Sequence, residues 1–420
     1  MLKFVFILVV IFSFWYGNAK KKRSFFCSSS FLIGIYVISA IFMIPALSVG
    51  EYKEPYLISY WLPAIIFLSY LLLLLLPARW YKDNAVSQIV LPNRLTLNVM
   101  ASVIIILSFF AIIYFSRTVS NIFSMNLNDA RTDLVFGETY VETGLLNTIA
   151  SVSASLYVFA LILFFIFLTI PSSKLTRMLL LVSSLSEPVH ILAYVGRDGI
   201  VFWIFSFVFL FFIFKDYIVS ENKSYLIRIF IIVGFVLIVP FMMITASRFG
   251  SGAVNNKGTF DSLITYWGQG YIQGTLFMGI EDKPCTYGSS FPLFFEITGI
   301  DKPISDWGAE GVLMIGEWRS WFFGTIVTSL LLNFGHIGFW ITTLLLFVLF
   351  RSIMKIKSGK LQFHQLIFYV LYFQIMSQGI FYFKQYTRGG NLFILLSLLL
   401  VLFFRLNFNP ESATRINRIQ

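Results

Sequence analysis

The sequence predicts an all-α polytopic membrane protein, a single transmembrane domain over residues 1–420 with about eleven membrane-crossing helices, on three observations. First, hydrophobic residues make up 58% of the chain and charged residues only 12%, with a mean hydropathy of +0.83. A soluble core has no room for that much apolar side chain, so the solvent is lipid. Second, the apolar residues fall in runs such as Phe31 to Val49, Leu57 to Leu76, Thr96 to Phe115, Ile149 to Ile170, Val201 to Phe214 and Ile227 to Thr245. Most of these approach the ~20 residues a helix needs to cross the hydrocarbon core. Third, the strict alternation of a transmembrane barrel is missing, which leaves the helix as the form that satisfies its own backbone in lipid.

Element by element, the first apolar segment, residues 2–17, has the length of a signal peptide but no small-residue cleavage site follows it. Lys20, Lys21, Lys22 and Arg23 follow instead and read as a stop signal on the inner side. With the amino terminus outside, the helices are 2–17, 31–49, 57–76, 96–115, 148–170, 174–194, 199–215, 226–246, 335–354, 364–383 and 391–407. This count places most of the 31 Lys and Arg on the inner side and most of the 20 acids outside, as the positive-inside rule asks. A further helix between Trp321 and Asn333 would turn Arg351, Lys355, Lys357 and Lys360 outward, so 318–332 is expected to be an interfacial or re-entrant helix. The 49 phenylalanines suit lipid-facing surfaces, and the net charge of +11 is assigned to orientation rather than to nucleic acid. Cys27 and Cys285 fall on opposite sides and cannot pair. No fixed-period repeat and no two-half symmetry is visible.

The chemistry is expected in the loop 247–318 and at the outer helix ends. The loop carries Tyr266, Trp267, Tyr271, Phe291, Phe294, Phe295 and Trp307 among glycines and charges. Aromatic faces pack on the C–H faces of sugar rings, and the same residues also suit anchoring the loop to the interface; both readings stay open. Asp301, Asp306, Glu310 and Glu317 crowd the end of the loop, where a carboxylate can serve as general base or simply face solvent beside Lys302 and Arg319.

Arginines at outer helix ends are the more informative set, because topology does not require them there. Arg197, Arg248, Arg319 and Arg388 are the four, each beside Gly or Ser, a setting that suits a diphosphate as well as a lipid headgroup. Glu187, His190 and Tyr194 recur at spacings of three and four and lead into Arg197 and Asp198, a polar stripe that either lines a water-filled cavity or forms a structural network. Pro188 is expected to kink that helix. Glu-x-x-His alone is too little for a metal, and His336 and His364 read as structural. No glycine-rich phosphate loop is present in the short inner loops.

Three motifs carry a resemblance: Gly196-Arg197-Asp198-Gly199 before a helix, Ser247-Arg248-Phe249-Gly250-Ser251-Gly252 at the start of the loop, and Asn333-Phe334-Gly335-His336-Ile337-Gly338-Phe339 opening the helix after it. With the late loop and outer arginines, the chain resembles the Wzy-type O-antigen polymerases and related oligosaccharide repeat-unit polymerases. The resemblance implies inverting, metal-independent glycosyl transfer in the bacterial inner membrane, at its periplasmic face, with periplasmic amino and cytoplasmic carboxy termini and no cofactor. A growing glycan on undecaprenyl diphosphate would pass to a new lipid-linked repeat unit, in contact with membrane lipid and with a chain-length-regulating co-polymerase as partner, and no nucleic acid. Arg197, Arg248 and Arg388 would hold the diphosphate. Asp198, Asp306, Glu310 or His190 would deprotonate the acceptor, and Arg319, Tyr266 and Trp267 would complete substrate binding. An O-antigen ligase and a lipid-linked oligosaccharide flippase are the alternatives.

Overall fold

The computed structural model describes residues 2–48, 61–127, 129–130, 133, 140–142, 144–250, 259–303, 314–315, 318–319, 323–356, 358–407 and 413–419. The protein is an all-α polytopic membrane protein: nine helices among these residues are long and apolar enough to cross a bilayer. Two shorter helices, α9 (Asp198–Phe214) and α14 (Phe363–Gln378), fill the remaining expected spans. Each of the eleven expected segments therefore contains a helix among its described residues.

The chain divides into two compact units, each built from separated stretches: residues 1–85, 254–355 and 367–394 in the first, 86–253, 356–366 and 395–420 in the second. The first unit holds α1 (Leu2–Lys22), α2 (Ser28–Ser48), α3 (Trp61–Leu75), α11 (Thr259–Met278), α12 (Pro292–Thr298) and α13 (Thr325–Ile353), with most of α14. At its centre lies α11, inside the stretch expected to be a polar loop, and every residue from Tyr271 to Met278 is buried. Low average hydropathy hid this helix, because its glycines, glutamines and tyrosines are packed rather than solvated. Tyr271 donates to the Tyr36 carbonyl at 2.8 Å and Ser39 donates to the Trp267 carbonyl at 2.6 Å, which ties α11 to α2. At Gly268 a Cβ would stand 2.5 Å from the Phe42 carbonyl oxygen, so the two backbones approach as only glycine allows. Gly335, at φ 63°, breaks α13 into two parts.

The second unit holds α4 (Arg94–Ser124), α5 (Leu145–Ser155), α6 (Tyr157–Thr169), α7 (Lys174–Ser183), α8 (Ser186–Leu192), α9 and α10 (Ser220–Gly250). Asn93 starts α4 by accepting from the Thr96 amide at 2.8 Å, and Ser173 starts α7 in the same way at 3.0 Å. Helix α6 is apolar on every side and buried from Tyr157 to Leu168, the mark of a central helix. By contrast α10 exposes Ile231, Ile232, Phe235, Val236 and Val239, a face for lipid. Sheet is confined to small pieces. In this unit β1 (Gln88–Leu91) pairs in parallel with β4 (Lys360–Gln362), Ile89 opposite Leu361, and antiparallel with β5 (Thr414–Asn417), Ile89 opposite Ile416. In the first unit β2 (Met314–Ile315) pairs with β3 (Trp318–Arg319). The stretch 318–332 is thus divided: β3, then the first turns of α13 from Thr325.

Helix α15 (Arg388–Leu406) is the last span. Helix α14 is short: its 16 residues reach about 24 Å, less than the ~30 Å hydrocarbon core. The stretch 379–387 that follows, expected as helix to 383, is turn and a 3-10 segment, Lys384–Tyr386. Irregular backbone of this kind is tolerated in lipid only where protein or a polar cavity satisfies it.

Candidate functional site

Two groups of polar side chains answer to the sequence expectations, one in each unit. In the second unit the polar stripe is assembled at the α7–α8 break and the turn before α9. Helix α8 starts at Ser186 with Pro188 in its first turn, and this is where the helical run from Lys174 is interrupted. Glu187, 7% exposed, accepts from His190 Nδ1 at 3.2 Å. The imidazole stands 4.6 Å from the Phe115 ring and 5.5 Å from Tyr194, centroid to centroid, and Asn147 donates to the Tyr194 hydroxyl at 3.4 Å. The expected grouping of Glu187, His190 and Tyr194 is present, although Tyr194 lies past the end of α8.

The turn that follows is tight. The Gly196 amide donates back to the Ile191 carbonyl at 2.9 Å, Val195 takes a left-handed φ of 50°, and a Cβ on Gly199 would meet the Ile191 side chain at 2.8 Å. A β-branched residue held at positive φ costs of order 1–3 kcal/mol, strain that the packing around this turn must sustain. The result is that Arg197 is turned inward: it is 3% exposed, Nη1 donates to Thr245 Oγ1 on α10 at 2.8 Å, and the guanidinium lies over the Phe241 ring at 5.8 Å. Asp198, half-buried, opens α9, where a carboxylate complements the helix dipole.

In the first unit the site forms around the irregular 379–387 stretch. Arg388 begins α15 with its side chain 55% exposed, and both Nε (2.8 Å) and Nη2 (2.6 Å) donate to Glu296 Oε1 on α12. Asn391, one turn on, donates to the carbonyls of Ser290 (3.2 Å) and Gln385 (2.5 Å) and accepts from the Leu293 amide at 3.4 Å. It thereby fixes the chain before α12 against the start of α15. Behind it runs a line of buried amides: Gln385 donates to Gln378, and Gln378 donates to Gln374 at 3.1 Å. Tyr266 and Trp267, on α11, rest on Phe381 at 5.3 and 5.4 Å. Phe323 continues the cluster, edge-on to Tyr266 at 4.9 Å and stacked on Tyr382 at 5.3 Å. The two predicted sugar-stacking residues therefore belong to one aromatic group that includes the 379–387 stretch.

Asp306, Glu310, Glu317 and Trp307 lie outside the described residues, as do the side chains of Arg248 and Arg319. Asp301 is exposed. Sequence reasoning missed Glu296, Asn391 and the three glutamines. The spacing of Gln374 and Gln378, two amides one turn apart in an apolar helix, was the available signal. Compared with protein-family profiles, with curated proteins and with solved structures, the chain matches none.

Proposed function

We propose that this protein transfers glycan from a polyprenyl-diphosphate carrier to an acceptor sugar at the periplasmic face of the bacterial inner membrane. Its product is a polysaccharide assembled from lipid-linked repeat units. The observation that carries the reading is Arg388: an arginine at a helix start, more than half exposed, whose two donors converge on one oxygen of Glu296. An ion pair this open is worth about 0–1 kcal/mol, whereas hydrogen bonds to a charged group are worth about 1.5–3 kcal/mol each. A diphosphate offering several oxygens in the fork geometry of guanidinium displaces the single carboxylate oxygen at low cost.

The chemistry follows from that exchange. The acceptor hydroxyl attacks the anomeric carbon, the bond from that carbon to the phosphate oxygen breaks, and the diphosphate leaves with its new charge held by Arg388. The acceptor proton goes to a carboxylate or imidazole. Glu296, released from Arg388 when the diphosphate binds, joins Asp198, His190, Asp306 and Glu310 as a candidate. The aromatic group of Tyr266, Trp267 and Tyr382 supports the reading as a surface for sugar faces. A ligase would use the same donor chemistry on another acceptor.

A second reading, transport of a lipid-linked oligosaccharide, draws on the buried amides Gln269, Gln273, Gln374, Gln378 and Gln385, which place polar groups deep in the first unit. Expression of Arg388→Ala and Glu296→Gln in cells separates the readings. Under the transfer reading, single lipid-linked repeat units accumulate at the periplasmic face and long chains disappear, with membrane levels of the protein unchanged. Retention of those units on the cytoplasmic face favours transport, and unchanged chain-length ladders from Arg388→Ala overturn the diphosphate role.

A further inference from the structure

In the first unit, the ends of α3 and α13 bring an indole and two arginines together. Pro77 lacks the amide that would continue α3, and the chain closes in a 3-10 turn, Leu76–Arg79, with the Trp80 amide donating to the Pro77 carbonyl at 3.0 Å. Trp80 lands on the last turns of α13, edge-on to Phe347 at 5.2 Å and to Phe350 at 5.9 Å, and the Arg351 guanidinium lies over its ring at 5.1 Å. Phe347, Phe350 and Arg351 share one face of α13 by their spacings of three and four. Stacking on the indole fixes the plane of the guanidinium and leaves its N–H edge open. Arg351 is exposed and makes no hydrogen bond or ion pair among the described residues. Arg79, half-buried, lies over the Phe14 ring of α1 at 4.8 Å and likewise makes neither there.

The surroundings add charge of the same sign. Asn84 donates to the Lys22 carbonyl at 2.8 Å and so ties this turn to the end of α1, where Lys20, Lys21 and Arg23 are exposed; Lys82 is exposed beside it. Asp83, the acid of the turn, accepts from the amide and hydroxyl of Ser28 at 3.2 and 2.7 Å. Tryptophan favours the level where hydrocarbon gives way to headgroups, which sets Arg351 and Arg79 at the depth of lipid phosphates, on the side expected to be inner. Val348 and Leu344 continue the stripe of Arg351 back along α13 into the hydrocarbon, 58% and 64% exposed.

We propose that Arg351, held flat on Trp80, binds the phosphate of an anionic phospholipid, with Arg79 as a second cation from the same turn and the acyl chains along Val348 and Leu344. The open fork of the guanidinium meets two phosphate oxygens, and because the site lies on the lipid-facing surface the ligand needs no enclosed cavity. Lys20, Lys21 and Lys82 favour a headgroup of net negative charge over one that carries its own ammonium.

The test uses the full chain, delipidated in detergent. In native mass spectrometry with equal phosphatidylglycerol and phosphatidylcholine, the wild type is expected to take up phosphatidylglycerol with a preference of about fivefold. Arg351→Gln is expected to remove most of that preference and Arg79→Gln part of it, with the melting temperature in lipid-free detergent unchanged. Lys174→Gln, which removes an exposed cation at the start of α7, is expected to keep it. No preference in the wild type, a preference that survives Arg351→Gln, or an equal loss in Lys174→Gln overturns the site. Should Arg351→Gln melt early, Arg351→Lys carries the test: it keeps the charge, loses the planar fork and must weaken the preference, and an unchanged preference overturns the proposal.

Discussion

Arg197 and Arg388 both stand at helix starts, yet they are held in opposite ways. Arg197 is buried and donates to Thr245, so it is fixed before any ligand arrives, whereas Arg388 is more than half exposed in a weak pair with Glu296. Fixing a buried guanidinium depends on its acceptors. Thr245→Val keeps the shape of the side chain and removes the oxygen, and is expected to cost about 1–3 kcal/mol in thermal or denaturant unfolding of the purified protein, with Thr245→Ser close to wild type. At this scale the sequence reading succeeded where partners lie within a few residues. Glu187, His190 and Tyr194 fall together because spacings of three and four are visible in the chain. It failed where partners are remote: Glu296 meets Arg388 across 92 positions and Ser290 meets Asn391 across 101, distances at which residue spacing carries no signal.

At the scale of elements, the spans were legible because lipid imposes one rule, apolar length, on each of them. Helix α11 was not, because close packing by small residues and paired amides, rather than apolar surface, holds it in place. Gly268 shows the difference. A methyl group there would sit 2.5 Å from the Phe42 carbonyl oxygen and 2.7 Å from Met43 Cα, atoms of backbone that move only with the helix. Gly268→Ala is therefore expected to destabilise by about 1–3 kcal/mol through overpacking. Gly234, inside α10, has nothing within 4 Å of its missing Cβ, and Gly234→Ala is expected to stabilise by about 0.5–1 kcal/mol by helix propensity alone. Melting temperatures of the two variants in the same detergent check the opposite signs. A destabilising Gly268→Ala also reports that the aromatic group on α11, Tyr266 and Trp267, depends on the α2 contact for its position.

At the scale of the whole molecule, the division into two units was hidden from the sequence because each draws on three separated stretches of chain. What the sequence does constrain is sidedness, and α11 makes it testable. With 20 residues, α11 is about 30 Å long, enough to cross the bilayer, and a full crossing would carry residues 279–303 to the inner side. Two facts oppose that. Glu296 pairs with Arg388 at the start of α15, and α15 ends in Arg405, the basic end that the positive-inside rule places inside. On that orientation Arg388, Glu296 and the exposed Asp301 are expected outside, on the side from which α11 starts. In a Cys285→Ser chain, whose remaining native Cys27 is buried, Asp301→Cys is expected to react with an impermeant maleimide added outside intact cells. Lys21→Cys, exposed at the basic end of α1, is expected to react only after permeabilisation. Labelling of Lys21→Cys from outside with protection of Asp301→Cys would invert the expected orientation and put Arg388 on the inner side.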